Sequence, residues 1–332
     1  MSVKPLVITM GEPAGIGGEL TIQAWKQRHD RSFTPFFALD CPDRLRGLDL
    51  DMPIKVINTP EEVLSVFDEA LPVLPLQLAE KPVLGQLNPK NSPAVIESIE
   101  RAVTYCLNGE AGGVVTNPIH KAALYEAGFS HPGHTEFVGE ICSQSCDKKI
   151  TPIMMLVAKD LRVVPLTIHI PLKDVPQAVT ADLLRHQCEI ISKSLQTDFK
   201  ITAPRIAIAG LNPHAGEDGK IGIEDRDVVE PAIKKMQDAG LNVTGPHPAD
   251  TLFHEEARRK YDLAVGMYHD QVLIPLKTLD FHGGVNVTIG LPIVRTSPDH
   301  GTALDIAGKG IARADSLMNA IKMAEEMVNN RT

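Results

Sequence analysis

Short apolar runs recur along the chain, and nearly every one closes on a cluster of polar or glycine residues. Leu6–Met10, Phe36–Leu39, Ile54–Ile57, Ala111–Thr116, Ile153–Ala158, Val163–Thr167, Arg205–Gly210 and Leu263–Met267 are such runs. Runs this brief with no polar face predict strands buried on both sides. Between them the apolar period lengthens to that of a helix. Glu19–Lys26, Thr180–Leu195 and Ile223–Ala239 read as helices, the last stopped by Gly240. Ser92–Asn108 is the clearest: Ser92 is placed as N-cap, Pro93 as first helical residue, and Ile96, Ile99 and Val103 mark one face. Residues 71–90, interrupted by prolines, predict extended loop or edge strand. Strands alternating with helices give an α/β fold with a mostly parallel sheet covered on both faces.

Composition narrows the class. A chain of 332 residues exceeds the usual single domain, so two domains or one elaborated unit are expected. A hydrophobic fraction of 43% against 23% charged residues supplies an ordinary core. The net charge of −9 argues against broad nucleic-acid or anionic-membrane binding, but leaves room for a small anion held by a few local cations. No run reaches a membrane span and no signal-peptide progression opens the chain, so a cytoplasmic protein is expected. Five scattered cysteines fit reduced thiols rather than a disulfide framework.

The chemistry gathers where apolar runs end, which in an open α/β sheet is where ligands bind. After Leu6–Met10 comes Gly11-Glu-Pro-Ala-Gly15-Ile-Gly17-Gly18, followed by a helix. This is neither a Walker A loop nor a GxGxxG fingerprint, since Leu20 stands where a third glycine would be; it reads equally as tight-turn architecture or as a ligand loop. Asn117-Pro-Ile-His120-Lys121 closes another run. His134 and Thr135, ahead of a helix through Cys142, suit a phosphate or carboxylate, or are an N-cap threonine beside a surface histidine. His131 and His134 with Cys142 and Cys146 also suggest a zinc site, although their order and spacing match no common finger; the plainer reading is two thiols on one helical face.

Three histidines share one placement. His169 follows VVPLTI, His214 follows IAIAGLNP, and His269 follows LAVGMY. Converging strand ends make a divalent metal site with positions left open for substrate, against a structural role for each histidine alone. Lys277, Asn286 and Arg295 suit an anionic substrate, against a solvated surface. Arg295 lies within Leu291-Pro-Ile-Val-Arg-Thr, an odd place for a cation without a partner.

The segments MGEPAGIGGE (10–19), NPIHK (117–121), GHTEF (133–137), NPHAGE (212–217), ADTLF (249–253), MYHDQ (267–271) and GVNVTIGLPIVRTSPDHGTA (284–303) resemble the 4-hydroxythreonine-4-phosphate dehydrogenase family over nearly the whole chain. His300 to Gly310 also resembles the cofactor loop of isocitrate and isopropylmalate dehydrogenases. The resemblance implies their two-domain fold, with residues 1–128 plus 276–332 on the cofactor side, residues 129–275 as the middle domain, and the active site in the interdomain cleft of a homodimer. It implies a divalent metal (zinc, magnesium or cobalt) on His169, His214 and His269, drawn from both subunits. Substrate would lie on His134, Thr135, Lys277, Asn286 and Arg295. His300, Gly301 and Asp305 would take the adenosine half of NAD or NADP, with Asp305 favouring NAD by repelling a 2′-phosphate.

The implied reaction is oxidation of a phosphorylated hydroxy acid at its 3-hydroxyl, followed by decarboxylation of the β-keto acid, in pyridoxal 5′-phosphate synthesis. Lys121, Asp250, Asp270 and metal-bound hydroxide all remain candidates for removing the alcohol proton. Dehydrogenation of threonate or erythronate 4-phosphate keeps this mechanism with another substrate. Metal-dependent hydrolysis would leave the 299–310 loop unexplained, and ligand binding without turnover would not account for so many polar groups at strand ends.

Overall fold

A computed structural model of the chain describes residues 4–131 and 133–332. Its strands are β1 (Leu6–Thr9), β2 (Phe36–Asp40), β3 (Ile54–Val56), β4 (Leu71–Pro75), β5 (Gly113–Val115), β6 (Ile153–Ala158), β7 (Leu161–Thr167), β8 (Ile206–Ala209), β9 (Val243–His247), β10 (Leu263–Tyr268), β11 (Val285–Ile289) and β12 (Val294–Pro298). The chain divides into two compact units, one running up to Pro152 and resuming at Leu291–Asn330, the other Ile153–Gly290. Among the described residues no helix is long and apolar enough to cross a membrane.

In the first unit the strand order is β3-β4-β2-β1-β5-β12, every pair parallel. Leu6, Val7, Ile8, Phe36, Phe37, Val114 and Val115 have no measurable exposure, as strands covered on both faces require. The proline-rich stretch is loop over residues 76–88, as expected, but departs from expectation at its start. β4 pairs with β3 on one side and β2 on the other, so it is neither loop nor edge. Pro72 and Pro75 lack donors, but Leu71 N donates to Pro53 O (2.8 Å) and Leu76 N to Asp40 O (3.0 Å), while Val73 O accepts from Ile57 N (3.0 Å). The ladder runs through the residues beside the prolines, and burial of Leu71 and Val73 supplies the rest.

Two helices refine the sequence reading. Ser92–Leu107 is capped by Asn91, not Ser92, because a 3₁₀ turn, Pro89–Asn91, runs directly into it. Ser92 Oγ instead donates to Ala123 O at 3.0 Å. The helix Asp315–Arg331 closes the first unit, burying Leu317, Met318, Ile321, Ala324 and Met327, and Ala320 O accepts from Thr296 Oγ1 on β12 at 2.8 Å.

The second unit has the order β11-β6-β7-β10-β8-β9. β7, β10, β8 and β9 are parallel, and β6 runs antiparallel to both β7 and β11. The turn expected at Lys159-Asp160 joins β6 to β7, with Lys159 at φ 52°. Leu156, Val163, Ala207, Ala264, Val272 and Leu276 form its core. The last two lie on a helix, His269–Leu279, that starts at the residue after β10 and carries Pro275 inside it.

One ion pair is buried at the end of β2. The Arg44 and Asp40 side chains are each 2% exposed, and Arg44 Nε also donates to Pro13 O at 3.0 Å. Burial pushes the Asp40 carboxyl up, and Arg44 opposes it. Replacing Arg44 by Met should therefore cost about 3–5 kcal/mol, since it strands a buried carboxylate. Adding Asp40→Asn should recover much of the loss. Urea unfolding of the single and double variants measures both, and additive losses would show the two groups to be uncoupled.

Candidate active site

In the first unit, the glycine loop after β1 is bound to the segments that follow four other strands. Glu12 N donates to Pro118 O (2.8 Å), Ile16 N to Thr302 O (3.1 Å) and Gly85 N to Ala14 O (2.9 Å). Arg44 supplies the contact from beyond β2. Gly11 turns at φ +66°, where a Cβ would stand 2.7 Å from both Asn117 Cβ and Pro118 O. Of the two readings of this loop, the architectural one is thus observed: its backbone gathers the strand ends.

β5 and β12 deliver the charged groups. Arg295 on β12 is 2% exposed, and its Nε and Nη2 donate to Thr116 Oγ1 at 3.2 and 2.7 Å. Burial draws its pKa down to about 10, against the pull of Glu136, so the guanidinium remains charged at neutral pH. The helix His134–Cys146 points its N-terminus into this cluster, with Gly133 as N-cap and no capping side chain. Here Thr135 lies inside the first turn and is not the cap. A Cβ on Gly133 would sit 3.3 Å from Glu136 Oε2 and 3.4 Å from Lys121 Nζ, so both side chains close over that glycine. His134 Nε2 is sealed from solvent without a hydrogen-bond partner. Burial first, then Arg295 and Lys121, hold His134 well below the usual histidine range, so it is neutral near pH 7. A buried guanidinium, a lysine, a neutral imidazole and an uncapped helix N-terminus together make an anion site.

Three groups here lie in segments that the sequence marks out but gives no individual role. Asn117 Oδ1 and His120 Nδ1 are sealed without partners, although Asn117 Nδ2 donates to Thr9 O and Thr21 Oγ1, both at 2.9 Å. Glu12 is 5% exposed, and burial raises its carboxyl pKa, against a hydrogen bond from Ala14 N and the nearby His120 and Arg44. A lone glutamate in a glycine loop carries no burial signal, which is why it went unread.

The expected cofactor residues lie beyond β12. His300, Gly301 and Asp305 are all exposed. His300 Nδ1 is 2.9 Å from Gly301 O.

In the second unit, His169 follows β7 at φ 52° and His269 follows β10 as the first residue of its helix. Their rings stand 5.7 Å apart at 41°. Both line a cavity of about 270 Å³ whose wall also includes Thr167, Tyr268 and Asp270 and the apolar Ile170, Leu172 and Val175. Asp270 Oδ1 lies 2.7 Å from His269 Nδ1, which places the proton on Nδ1 and leaves the Nε2 lone pair for a ligand.

His214 stands in a left-handed run: His214, Ala215, Gly216, Glu217 and Asp218 all have φ between 45° and 80°. The fully buried Asp225 anchors its entry, accepting from Leu211 N (2.7 Å), Asn212 N (3.0 Å) and Asn212 Nδ2 (3.0 Å). Gln271 ties the ends of β8 and β10 together, donating to Gly210 O (2.8 Å) and accepting from Met267 N (2.6 Å). Among the described residues, no three His, Cys, Asp or Glu side chains of one chain stand close enough to hold a metal ion. The chain therefore brings His169 and His269 together without His214.

The remaining expected residues lie in the second unit. Lys277 Nζ lies 5.5 Å over the Phe281 ring, and Asn286, on β11 opposite Leu156, keeps Oδ1 sealed without a partner. Asp250 is exposed in the turn Ala249–Thr251. The alternative zinc grouping does not form among the described residues: His131 stacks on Phe129 and Phe137, while Cys142 and Cys146 lie one turn apart on a single helix.

Comparison with known proteins follows this geometry. The 4-hydroxythreonine-4-phosphate dehydrogenase of Ruegeria sp. (strain TM1040) is 49% identical over 334 residues, covering 100% of this chain and 99% of its own. The 1.25 Å crystal structure of the Klebsiella pneumoniae enzyme of that name superposes with a TM-score of 0.86 at 34% identity, covering 98% of this chain and 99% of its own. A terephthalate 1,2-cis-dihydrodioldehydrogenase from Burkholderia xenovorans LB400 follows at TM-score 0.64 and 25% identity, covering 97% of each chain. The fold is thus that of an α/β enzyme of the dehydrogenase class. The family model for pyridoxal phosphate biosynthetic protein PdxA matches residues 39–324, and the chain belongs to that family.

Two predictions follow from these sites. A histidine whose native pKa lies below its unfolded value resists a proton that the unfolded chain accepts, so stability falls as pH drops through about 6.5. His134→Gln should flatten that acid-side loss, which urea unfolding between pH 7.5 and 5 would detect. Asp225→Ala should cost about 2–4 kcal/mol by stranding three donors at the entry to the His214 turn. An unchanged melting temperature would show that the turn does not depend on Asp225.

Proposed function

We propose that the chain oxidises the 3-hydroxyl of 4-phosphohydroxythreonine with NAD, NADP serving less well, to give 2-amino-3-oxo-4-phosphobutanoate, which loses carbon dioxide to give 3-amino-2-oxopropyl phosphate. The observation that carries this reading is the pair of sealed polar atoms without hydrogen-bond partners, His134 Nε2 and Asn286 Oδ1, together with the buried Arg295 guanidinium that acts on His134. Such atoms are costly unless a ligand completes them. The relatives named for this substrate, aligned over the whole chain, support that choice.

Arg295, His134, Thr135 and the N-terminus of the helix His134–Cys146 bind one anionic end of the substrate, and Lys277 and Asn286 are further substrate-binding residues. His169, His214 and His269 hold a divalent ion (zinc, magnesium or cobalt), with the set completed across two copies of the chain. The residues fit that role in part: two imidazoles share one cavity, and His269 has its Nδ1 engaged by Asp270, as a ligating histidine requires. Exposed Ile170 and Leu172 beside His169, and Ile221 and Ile223 beyond His214, favour a second copy against these turns. When bound, the metal supplies Lewis acidity at the reacting oxygen, and the dinucleotide supplies the hydride acceptor. Of the bases considered, Lys121, Asp250 and Asp270, only Asp270 lines the histidine cavity, and it takes the alcohol proton. Asp305 accepts from the adenosine ribose and disfavours a 2′-phosphate. Free cysteines fit a reducing, cytoplasmic setting.

The test is absorbance at 340 nm with NAD, a divalent metal, and 4-phosphohydroxythreonine, threonate 4-phosphate or erythronate 4-phosphate. Growth with the amino substrate alone, abolished by chelation and by His214→Ala, is the expected result. Growth with the sugar acids alone moves the substrate and keeps the chemistry. No growth with any of them overturns the dehydrogenase reading and returns hydrolysis and simple binding.

A further inference from the structure

The loop beyond β12 is pinned at two points by one short stretch of chain. At Thr302 the pin is backbone to backbone, with Ile16 N donating to Thr302 O at 3.1 Å and no room for a Cβ on Gly15, which would stand 2.8 Å from the same oxygen. At Gly308 the pin is a side chain: Glu19 Oε1 accepts from Gly308 N at 2.6 Å, across 289 residues of sequence. Gly308 is held at φ +77°, and Leu84 Cδ1 lies 2.6 Å from where its Cβ would be. Between the pins the chain makes an arc of successive turns, closed by Ile306 N to Ala303 O and Lys309 N to Ile306 O, both 3.1 Å, and Asp305 within it is exposed.

We propose that Glu19 is a positioning residue for dinucleotide recognition, acting through the Gly308 amide to fix the arc that presents Asp305. This rests on the reading of that arc as the adenosine contact. Glu19 lies in the first turn of the helix Gly17–Lys26, where the helix dipole favours a carboxylate. A charged acceptor makes a stronger bond to a backbone N–H than a neutral one. With that bond present, the arc is ordered before the ligand arrives, and binding does not pay for ordering it. With it lost, one end of the arc is released while the Thr302 end stays fixed, so Asp305 is presented in many positions. Glu19 itself need not touch the dinucleotide.

The experiment compares wild type, Glu19→Ala and Glu19→Gln in the full-length protein. Calorimetry with NAD alone should show Kd raised about tenfold in Glu19→Ala, a loss that Glu19→Gln, which keeps a carbonyl acceptor, largely restores. Turnover should show the same rise in the KM for NAD, with kcat at saturating NAD within about twofold. Hydrogen exchange without ligand should quicken across 302–310 in Glu19→Ala only. If Glu19→Ala does not fold, Glu19→Asp, which draws the carboxylate back by one methylene, replaces it and should show the same losses. Unchanged exchange in the arc overturns the latch whatever the protein binds. Faster exchange with unchanged NAD affinity overturns the link to recognition. Failure of wild type to bind NAD overturns the cofactor reading and this inference with it, an outcome distinct from a wild type that binds and a variant that binds equally well.

Discussion

A backbone turn buried among strand ends must find hydrogen-bond partners within the protein, because water cannot reach it. Residues 10–19 meet that demand by drawing on the segments after β2, β4, β5 and β12. Each bond that satisfies the turn also fixes a segment carrying chemistry: Pro118 next to His120 and Lys121, Thr302 next to Asp305. The glycines at 11, 15, 17 and 18 permit this closeness. A Cβ on Gly17 would stand 3.1 Å from Asn117, and one on Gly18 would stand 2.6 Å from Leu48. Movement of this turn would therefore displace four strand-end segments together.

The charges at those ends follow a second constraint. A guanidinium as buried as Arg295 keeps its charge only with acceptors arranged around it, and Thr116, the residue just after β5, supplies one. The uncharged His134 beside it keeps the cluster from accumulating a further positive charge that burial would penalise. In the second unit the constraint is conformational. Four non-glycine residues in the left-handed region around His214 each cost about 1–2 kcal/mol, so the anchoring of that entry by Asp225 offsets a real local penalty.

Much of this was legible in the sequence. The apolar runs became strands, and the polar clusters after them became the strand-end sites, because burial on both faces leaves no other place for charged groups. Arg295 stood out by its surroundings alone. Other features depend on neighbours that no local pattern reveals. β4 is interior despite its prolines because its donors are the residues beside them. The helix after Tyr268 begins without the loop that usually announces one, and the apolar stripe of Asp315–Arg331 was not picked out. Glu12, Asn117 and His120 gain meaning only from burial. The meeting of His169 and His269 was expected from their shared placement after apolar runs, and the pairing of β7 with β10 realises it.

The first unit is interrupted by the whole of the second, and this orders the events of synthesis. Residues 153–290 are contiguous and can collapse as they leave the ribosome, whereas the earlier strands wait for β12 and the final helix to complete their sheet. Arg295 arrives on that last strand, so its pairing with Thr116 is among the late contacts to form. A nascent or prematurely terminated chain thus lacks the guanidinium of the anion site however well its middle has folded. Incomplete copies are inert by construction, and the β5 edge that β12 would cover is left open to whatever holds unfinished chains in solution.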